Sequence, residues 1–407
     1  MKTEKTRHLK RVVVTGIGAI SSIGLDVQGN LNSLRNGIGG IGQSKFFVSK
    51  YAQTHALGEV KASDDELRLM LEVKDEKGLT RSDLLAFKAF REAITDAGLD
   101  EDALSSFDTA LISASTVGGM CLTDQLYQDA NTASEASEFI RSYSASAHTS
   151  YLAKRYGIRG IVDTLNTACS SSANAIMIGS RLIKSGRAKR VIVGGVDSLA
   201  KYTVNGFNSL GILSPAATKP FDLNRIGLSL GEGAAYLVLE ALDEVDGKQV
   251  YAEIKGYGNA SDAYHTSSIS DDADGVVYAI RQALNIASLS PNDIHYINAH
   301  GTGTGNNDKA EVVGFSTIFG SKIPPFNSTK SYTGHTLGAS GGLEAIYSIF
   351  SIKYGELYPS LNFETPIEEP YGLAPIRCYQ NDVEIRNVLS NSYGFSGSCT
   401  SLVISKV

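Results

Sequence analysis

Residues 87–112 read FKAFREAITDAGLDEDALSSFDTALI, and residues 277–299 read VYAIRQALNIASLSPNDIHYINA. In the first, Phe87, Phe90, Ile94 and Ala97 fall at i, i+3, i+7 and i+10, the spacing that lines up side chains on one face of a helix. Val277, Ile280, Leu284 and Ala287 repeat those intervals in the second. Each helix leads through a loop into an apolar strand, Thr109 to Ile112 in one case and Ile294 to Ala299 in the other. A helix-loop-strand unit that recurs at this distance predicts a duplicated architecture.

The parallel extends outward from these units. One segment of small residues enters a helix that ends at Lys184-Ser185-Gly186, and another enters a helix that ends at Lys353-Tyr354-Gly355, each with a glycine just past the last turn. Apolar strands then follow, Ala235 to Leu239 and Ser401 to Ile404. The reading is an α/β protein of two similar halves, residues 1–250 and 251–407, with buried helices between sheets.

Composition agrees with a globular enzyme: 407 residues, 42% of the apolar class, 20% charged, net charge −6. That balance gives no support to nucleic-acid binding. No stretch approaches the roughly 18 unbroken apolar residues of a membrane span, and Met1 to Arg11 is charged without an apolar signal core, so a cytoplasmic location is expected. The four cysteines, Cys121, Cys169, Cys378 and Cys399, form no C-x-x-C pair, which argues against a zinc cluster or a disulfide framework. The glycines of RVVVTGIGAISSIG (11–24) superficially resemble a dinucleotide fingerprint, but Ser21 stands where a third glycine belongs.

The chemistry-bearing residues lie elsewhere. DTLNTACSSSANAIMIGSRLIKSG (163–186) sets Cys169 between an extended stretch and a helix start, where the positive end of the dipole favours a thiolate. Ala168, Ser170, Ser171 and Ala173 are small and are expected to leave room for a substrate. NAHGTGTGNND (298–308) places His300 after a buried strand in a glycine-rich loop, and STKSYTGHTLGASGG (328–342) places Lys330 five residues before His335. Each of these alone reads as a packed or hydrogen-bonded structural group. A cysteine, two histidines and a lysine, each at a strand-to-helix junction, read together as one site.

TACSSS, HGTGT, STKSYTGH and NSYGFSG, in that order, resemble the β-ketoacyl-acyl carrier protein synthases of the Cys-His-His branch, from Arg11 to the C-terminus. The resemblance implies a thiolase-like α-β-α-β-α fold and decarboxylative condensation of a malonyl thioester with an acyl group on Cys169. It implies that His300 and His335 act on the malonyl thioester, that Lys330 with Glu344 holds the constellation, and that the amides of Cys169 and Phe395 are oxyanion donors. Val117, Phe207 and Phe395 are implied in acyl-chain length and gating, Thr302 and Thr304 in substrate binding, and Lys77 and Arg81 in carrier docking. Two imidazole N–H donors aimed at an enolate oxygen account for the chemistry with no metal or organic cofactor. The implied partners are an acyl carrier protein and either a second copy or a related ketosynthase-like subunit.

The chain departs from the family's usual pattern in GFSGSCT, with Ser396, Ser398 and Cys399, at Gly305 after HGTGT, and in KPFDLNRIGLSLGEG, with Ile226 and Leu228. These departures bear on the pathway, fatty acid against polyketide or polyene. A thiolase is the alternative that would need Cys399 as a second catalytic cysteine. A non-catalytic subunit of a heterodimer is the alternative from a different class, and the presence of Cys169, His300, His335 and Lys330 speaks against it.

Overall fold

A computed structural model describes residues 10–245, 247–367 and 372–407. Ten strands occur among them: β1 Val12–Ser21, β2 Thr109–Ala114, β3 Val162–Leu165, β4 Arg190–Asp197, β5 Gly233–Ala241, β6 Ala252–Ser261, β7 Tyr296–Asn298, β8 Phe326–Asn327, β9 Asn387–Tyr393 and β10 Ser398–Ser405. They form one sheet in the order β3-β2-β4-β5-β1-β6-β10-β9-β7-β8. Read inward from either end, the order is the same. β3-β2-β4 and β8-β7-β9 are parallel, and β4-β5-β1 and β9-β10-β6 are antiparallel. The two five-stranded sets meet at a short antiparallel contact, Val13 against Glu253 and Val14 against Ala252.

Alternation along the strands explains the layers, since successive side chains face opposite sides of a sheet. Val191, Val193, Leu237 and Leu239 enter one apolar core, which they share with Leu402 and Ile404 of the other set. The helices Ser171–Lys184 and Ser340–Tyr354 fill that core, the second buried from Ser340 to Ile352. The intervening Ile192, Tyr236 and Val238 face outward onto the helix Arg81–Asp96. Val403 and Leu389 face outward onto the helix Asp274–Ala287. The result is an α/β fold of five layers, α-β-α-β-α, with the two halves' inner helices back to back.

The helix faces expected from the sequence lie on Arg81–Asp96, with Ala97 as its C-cap, and on Asp274–Ala287; β1 spans Val12–Ser21. Its glycines have a packing role. A Cβ at Gly16 or Gly18 would lie 2.4 or 2.0 Å from the carbonyl oxygens of Ala93 and Ala89, so their absence lets the outer helix rest on the strand. Gly256 and Gly258 in β6 do the same for Asp274–Ala287, at 2.2 and 2.0 Å from the oxygens of Ala283 and Ala279. No helix among the described residues is long and apolar enough to cross a membrane.

Candidate active site

The Cys169 segment turns sharply between β3 and the helix Ser171–Lys184. Ala168 adopts φ +52°, a left-handed conformation that costs a non-glycine residue on the order of 1 kcal/mol or more. The serines that follow hold it. Ser171 Oγ accepts from the Thr167 N–H at 2.8 Å and donates to the Ala168 carbonyl. Ser170 Oγ donates to the Thr167 carbonyl at 2.8 Å and meets Ser398 Oγ at 2.8 Å. Both serines are fully buried, so they fix the backbone and do not open space for a substrate as the sequence suggested.

Cys169 lines a cavity of about 290 Å³ together with His300, His335, Thr302, Thr304, Phe207, Tyr393 and Phe395. Gly394 permits the close approach of its loop: a Cβ there would lie 3.0 Å from both the Cys169 nitrogen and the Thr167 oxygen. The Lys330 ammonium, and after it the amides of Phe395 and Cys169, favour negative charge on the sulfur. Burial outweighs them and pushes the Cys169 thiol up to about 12. Burial thus opposes the thiolate that the helix start favours.

The two histidines arrive from the second half, with ring centroids 5.3 Å apart and planes nearly perpendicular. Lys330 Nζ lies 3.1 Å from His300 Nδ1 and donates to the His300 carbonyl at 2.7 Å. An ammonium has only protons to offer, so His300 Nδ1 accepts and the ring proton resides on Nε2. At His335 the Leu337 N–H donates to Nδ1 at 3.1 Å, and Ser340 Oγ lies 3.0 Å from the same nitrogen. The same argument places the His335 proton on Nε2. Burial, and after it the Lys330 charge, hold both imidazoles well below their ordinary range and hence neutral. Behind them Lys330 forms a buried ion pair with Glu344, whose carboxyl is pushed up by burial against the pull of that ammonium.

Thr302 and Thr304 meet through their hydroxyls at 2.9 Å on the cavity wall. Buried Asp308 and Glu311 shape this loop by accepting the amides of Thr302 and Gly303, and of His300 and Gly301. Phe207 lies on a helix, Lys201–Ser209, and stacks on Phe395 with centroids 5.4 Å apart. Val117 does not line the cavity. It sits in an adjoining apolar cluster with Leu57, Leu213, Leu228 and Leu337, and Leu228 belongs both to that cluster and to the cavity wall.

The docking expectation for Arg81 is corrected. Its guanidinium binds buried Glu232 at 2.6 to 3.0 Å and Asp64 at 2.6 Å, which commits it to joining two parts of the fold. Lys77 is exposed. Cys399 is fully buried in β10 within the outer core of the second half and does not line the cavity, so the second cysteine a thiolase requires is not supplied from that position. Sequence reasoning missed Ser340, named Leu228 only as a departure from the family's pattern, and took Ser170 and Ser171 as space for a substrate where they brace the turn.

Comparison with known proteins bears on this arrangement. The profile of the β-ketoacyl synthase N-terminal domain matches residues 9–245, and that of the C-terminal domain matches residues 251–364. A 3-oxoacyl-[acyl-carrier-protein] synthase 1 of Haemophilus influenzae is 33% identical, over 98% of this chain and 99% of that one. The solved ishigamide ketosynthase/chain length factor is similar with a TM-score of 0.90 at 29% identity, covering 98% of this chain and 99% of the other. A type II polyketide acyl-carrier protein in complex with its ketosynthase matches with a TM-score of 0.88 at 27% identity, over 98% and 100% of the two chains. With both domain profiles matched in sequence order, and with a cysteine and two Nε2–H imidazoles around one cavity, the chain belongs to the β-ketoacyl synthase family.

Proposed function

We propose that the chain is a β-ketoacyl-acyl carrier protein synthase that condenses an acyl group on Cys169 with a carrier-bound malonyl group. The observation that carries the reading is the convergence of Cys169 and two histidines with Nδ1 occupied on one cavity. Cys169 attacks the carbonyl of an acyl carrier thioester, and the carrier leaves as its thiol, carrying the proton that Cys169 gave up. The malonyl carboxylate then departs as CO2, its electron pair passing into an enolate whose oxygen receives the Nε2–H groups of His300 and His335. The enolate carbon attacks the acyl thioester, the amides of Cys169 and Phe395 hold the oxyanion, and collapse expels the Cys169 thiolate, which takes a proton from solvent to restore the thiol. Splitting the reaction through a covalent intermediate gives two steps with lower barriers than one.

Thr302 and Thr304 are read as contacts for the thioester arm, the Phe207–Phe395 pair as a gate, and Val117 as the floor of the acyl pocket. Lys77 remains a carrier contact in this reading. β3 supports a two-fold assembly: it is a four-residue edge strand with Val162 and Asp163 exposed, an open edge suited to pairing with another chain. The likeness to the ketosynthase/chain length factor favours a second reading, in which the partner is a related subunit and not a second copy. Sedimentation of the chain alone separates the two, a stable dimer supporting self-pairing and a monomer that dimerises only with the related subunit supporting the other. The proposed location is the cytoplasm.

The test is intact-protein mass spectrometry after incubation with a panel of acyl carriers, followed by malonyl-carrier. The wild type should gain one acyl group and release β-ketoacyl-carrier, and Cys169→Ala should gain none while keeping its circular dichroism. Acylation of Cys169→Ala would overturn the reading.

A further inference from the structure

Asp197, the last residue of β4, is fully buried, and its carboxylate gathers five donors from two separate loops. Oδ1 accepts from Ser115 Oγ at 2.7 Å and from the Val117 N–H at 2.9 Å. Oδ2 accepts from Thr116 Oγ1 at 2.6 Å and from the Gly338 N–H at 2.7 Å, and the Thr116 N–H is shared between both oxygens at 3.1 Å. Three backbone amides and two hydroxyls thus converge on one carboxylate, a charge-assisted set stronger than ordinary neutral hydrogen bonds.

The two loops serve different halves of the proposed reaction. Residues 115–117 carry Val117 into the apolar cluster beside the Cys169 cavity. Gly338 follows Leu337, which adopts φ +51° and points its N–H at His335 Nδ1. Leu337 also places its side chain in the same apolar cluster as Val117. The junction is tight, since a Cβ at Gly338 would lie 2.8 Å from Asp197 Oδ2 and 3.2 Å from the Thr116 nitrogen. The strained turn that fixes the His335 tautomer is therefore pinned to the loop that bears Val117 through this carboxylate.

We propose that Asp197 is a positioning residue that makes acyl-chain selection and malonyl decarboxylation interdependent, by locking the Val117 loop and the His335 turn together. The inference rests on the condensing function proposed above. Packed interiors yield little, so a shift on one side of the carboxylate is passed to the other.

One-sided variants test it. Thr116→Val removes a donor from the acyl side while keeping the side-chain shape, and Gly338→Ala crowds the carboxylate from the histidine side. Two quantities are read for each purified full chain: kcat/KM over a series of saturated acyl carriers, and kcat and KM separately for release of labelled CO2 from malonyl-carrier. Thr116→Val should lower kcat for decarboxylation by roughly 3- to 30-fold at little change in KM, and Gly338→Ala should change the acyl-length profile as well as decarboxylation. Asp197→Asn should do both, because an amide presents a donor to donors already in place. If Thr116→Val alters only the length profile and Gly338→Ala only decarboxylation, the interdependence is refuted even though the enzyme condenses. A wild-type chain that neither acylates nor decarboxylates would refute the underlying function instead.

Discussion

Replacing Lys330 with methionine removes the cation that sits on Glu344 and the donor that fixes His300 Nδ1. Both side chains are almost fully buried, at 2% and 3% exposure, so no solvent steps in to replace the lost partner. Removing one member of such a pair typically costs about 3–5 kcal/mol. The cost should depend on pH. In the wild type, burial lifts the Glu344 carboxyl to about 7 while the ammonium pulls it down; without the ammonium only the Ser392 hydroxyl still opposes burial, and the carboxyl moves higher still. A carboxyl whose folded pKa lies above its unfolded value takes up a proton on folding, so stability falls as pH rises between those two values. The window closes near pH 7 in the wild type and extends further in Lys330→Met. The variant's deficit should then widen above pH 7 by up to about 1.4 kcal/mol per pH unit. Urea titration at pH 6, 7 and 8 reads this directly. Lys330→Met/Glu344→Gln should recover most of the stability and none of the decarboxylation, because His300 Nδ1 still lacks its donor. A double variant with wild-type CO2 release would refute the assignment of Lys330 as the group that orients His300, and a pH-independent deficit would refute the electrostatic account.

His300→Ala and His335→Ala should each slow malonyl decarboxylation on the order of 100- to 1000-fold, with Cys169 acylation less affected; normal CO2 release in both would remove them from the enolate site. Since burial holds both imidazoles well below their ordinary range, wild-type decarboxylation should show no acid limb near pH 6.5, and a limb there in a pH–rate profile would contradict the neutral Nε2–H assignment. Val117→Phe should shift preference toward shorter acyl carriers while short-chain activity survives, measured as kcat/KM over saturated chains; an equal loss at every length would count against its place at the pocket floor.

The duplicated fold was legible because each half needs the same amphipathic helix to cover its outer sheet face, and the i, i+3, i+7, i+10 pattern of Phe87 to Ala97 and Val277 to Ala287 records that need. A second mark of the duplication went unread. Gly16-x-Gly18 and Gly256-x-Gly258 both exist so that the outer helix can touch the strand, but a G-x-G pair carries no periodicity and invites a nucleotide reading. The site residues were legible as types at junctions. Their protonation was not, because it depends on which neighbour reaches Nδ1, and neither the Lys330 ammonium at His300 nor the Leu337 amide at His335 can be placed without the fold. The environment of the Cys169 thiol was hidden for a related reason: the helix start is local and visible, whereas the burial that opposes it is made by segments from Phe207 to Phe395. Arg81 shows the same limit, since a basic residue at a helix start gives no sign that Glu232 waits across the fold.

The departures from the family's usual pattern divide by where the structure puts them. Ser396 is exposed at φ +63°, Ile226 is exposed, Ser398 meets Ser170 and Cys399 fills the outer core. Gly305 and Leu228 line the cavity, and Leu228 alone of the two also belongs to the apolar cluster that holds Val117, so it stands at the joint between cavity and cluster. An acyl chain that runs from Cys169 toward Val117 passes it. Leu228→Phe should therefore narrow the passage, and its effect should begin at a shorter chain than that of Val117→Phe, because Leu228 meets the chain earlier. Each methylene denied a buried position costs about 0.8 kcal/mol, close to fourfold in kcat/KM, so two variants that block the path a few carbons apart give length profiles offset by that many carbons. Chains too short to reach either position should react alike in both, and CO2 release from malonyl-carrier should stay near the wild type in Leu228→Phe. Coincident cut-offs would mean that the chain does not pass Leu228 on its way to Val117, and would place the acyl pocket elsewhere.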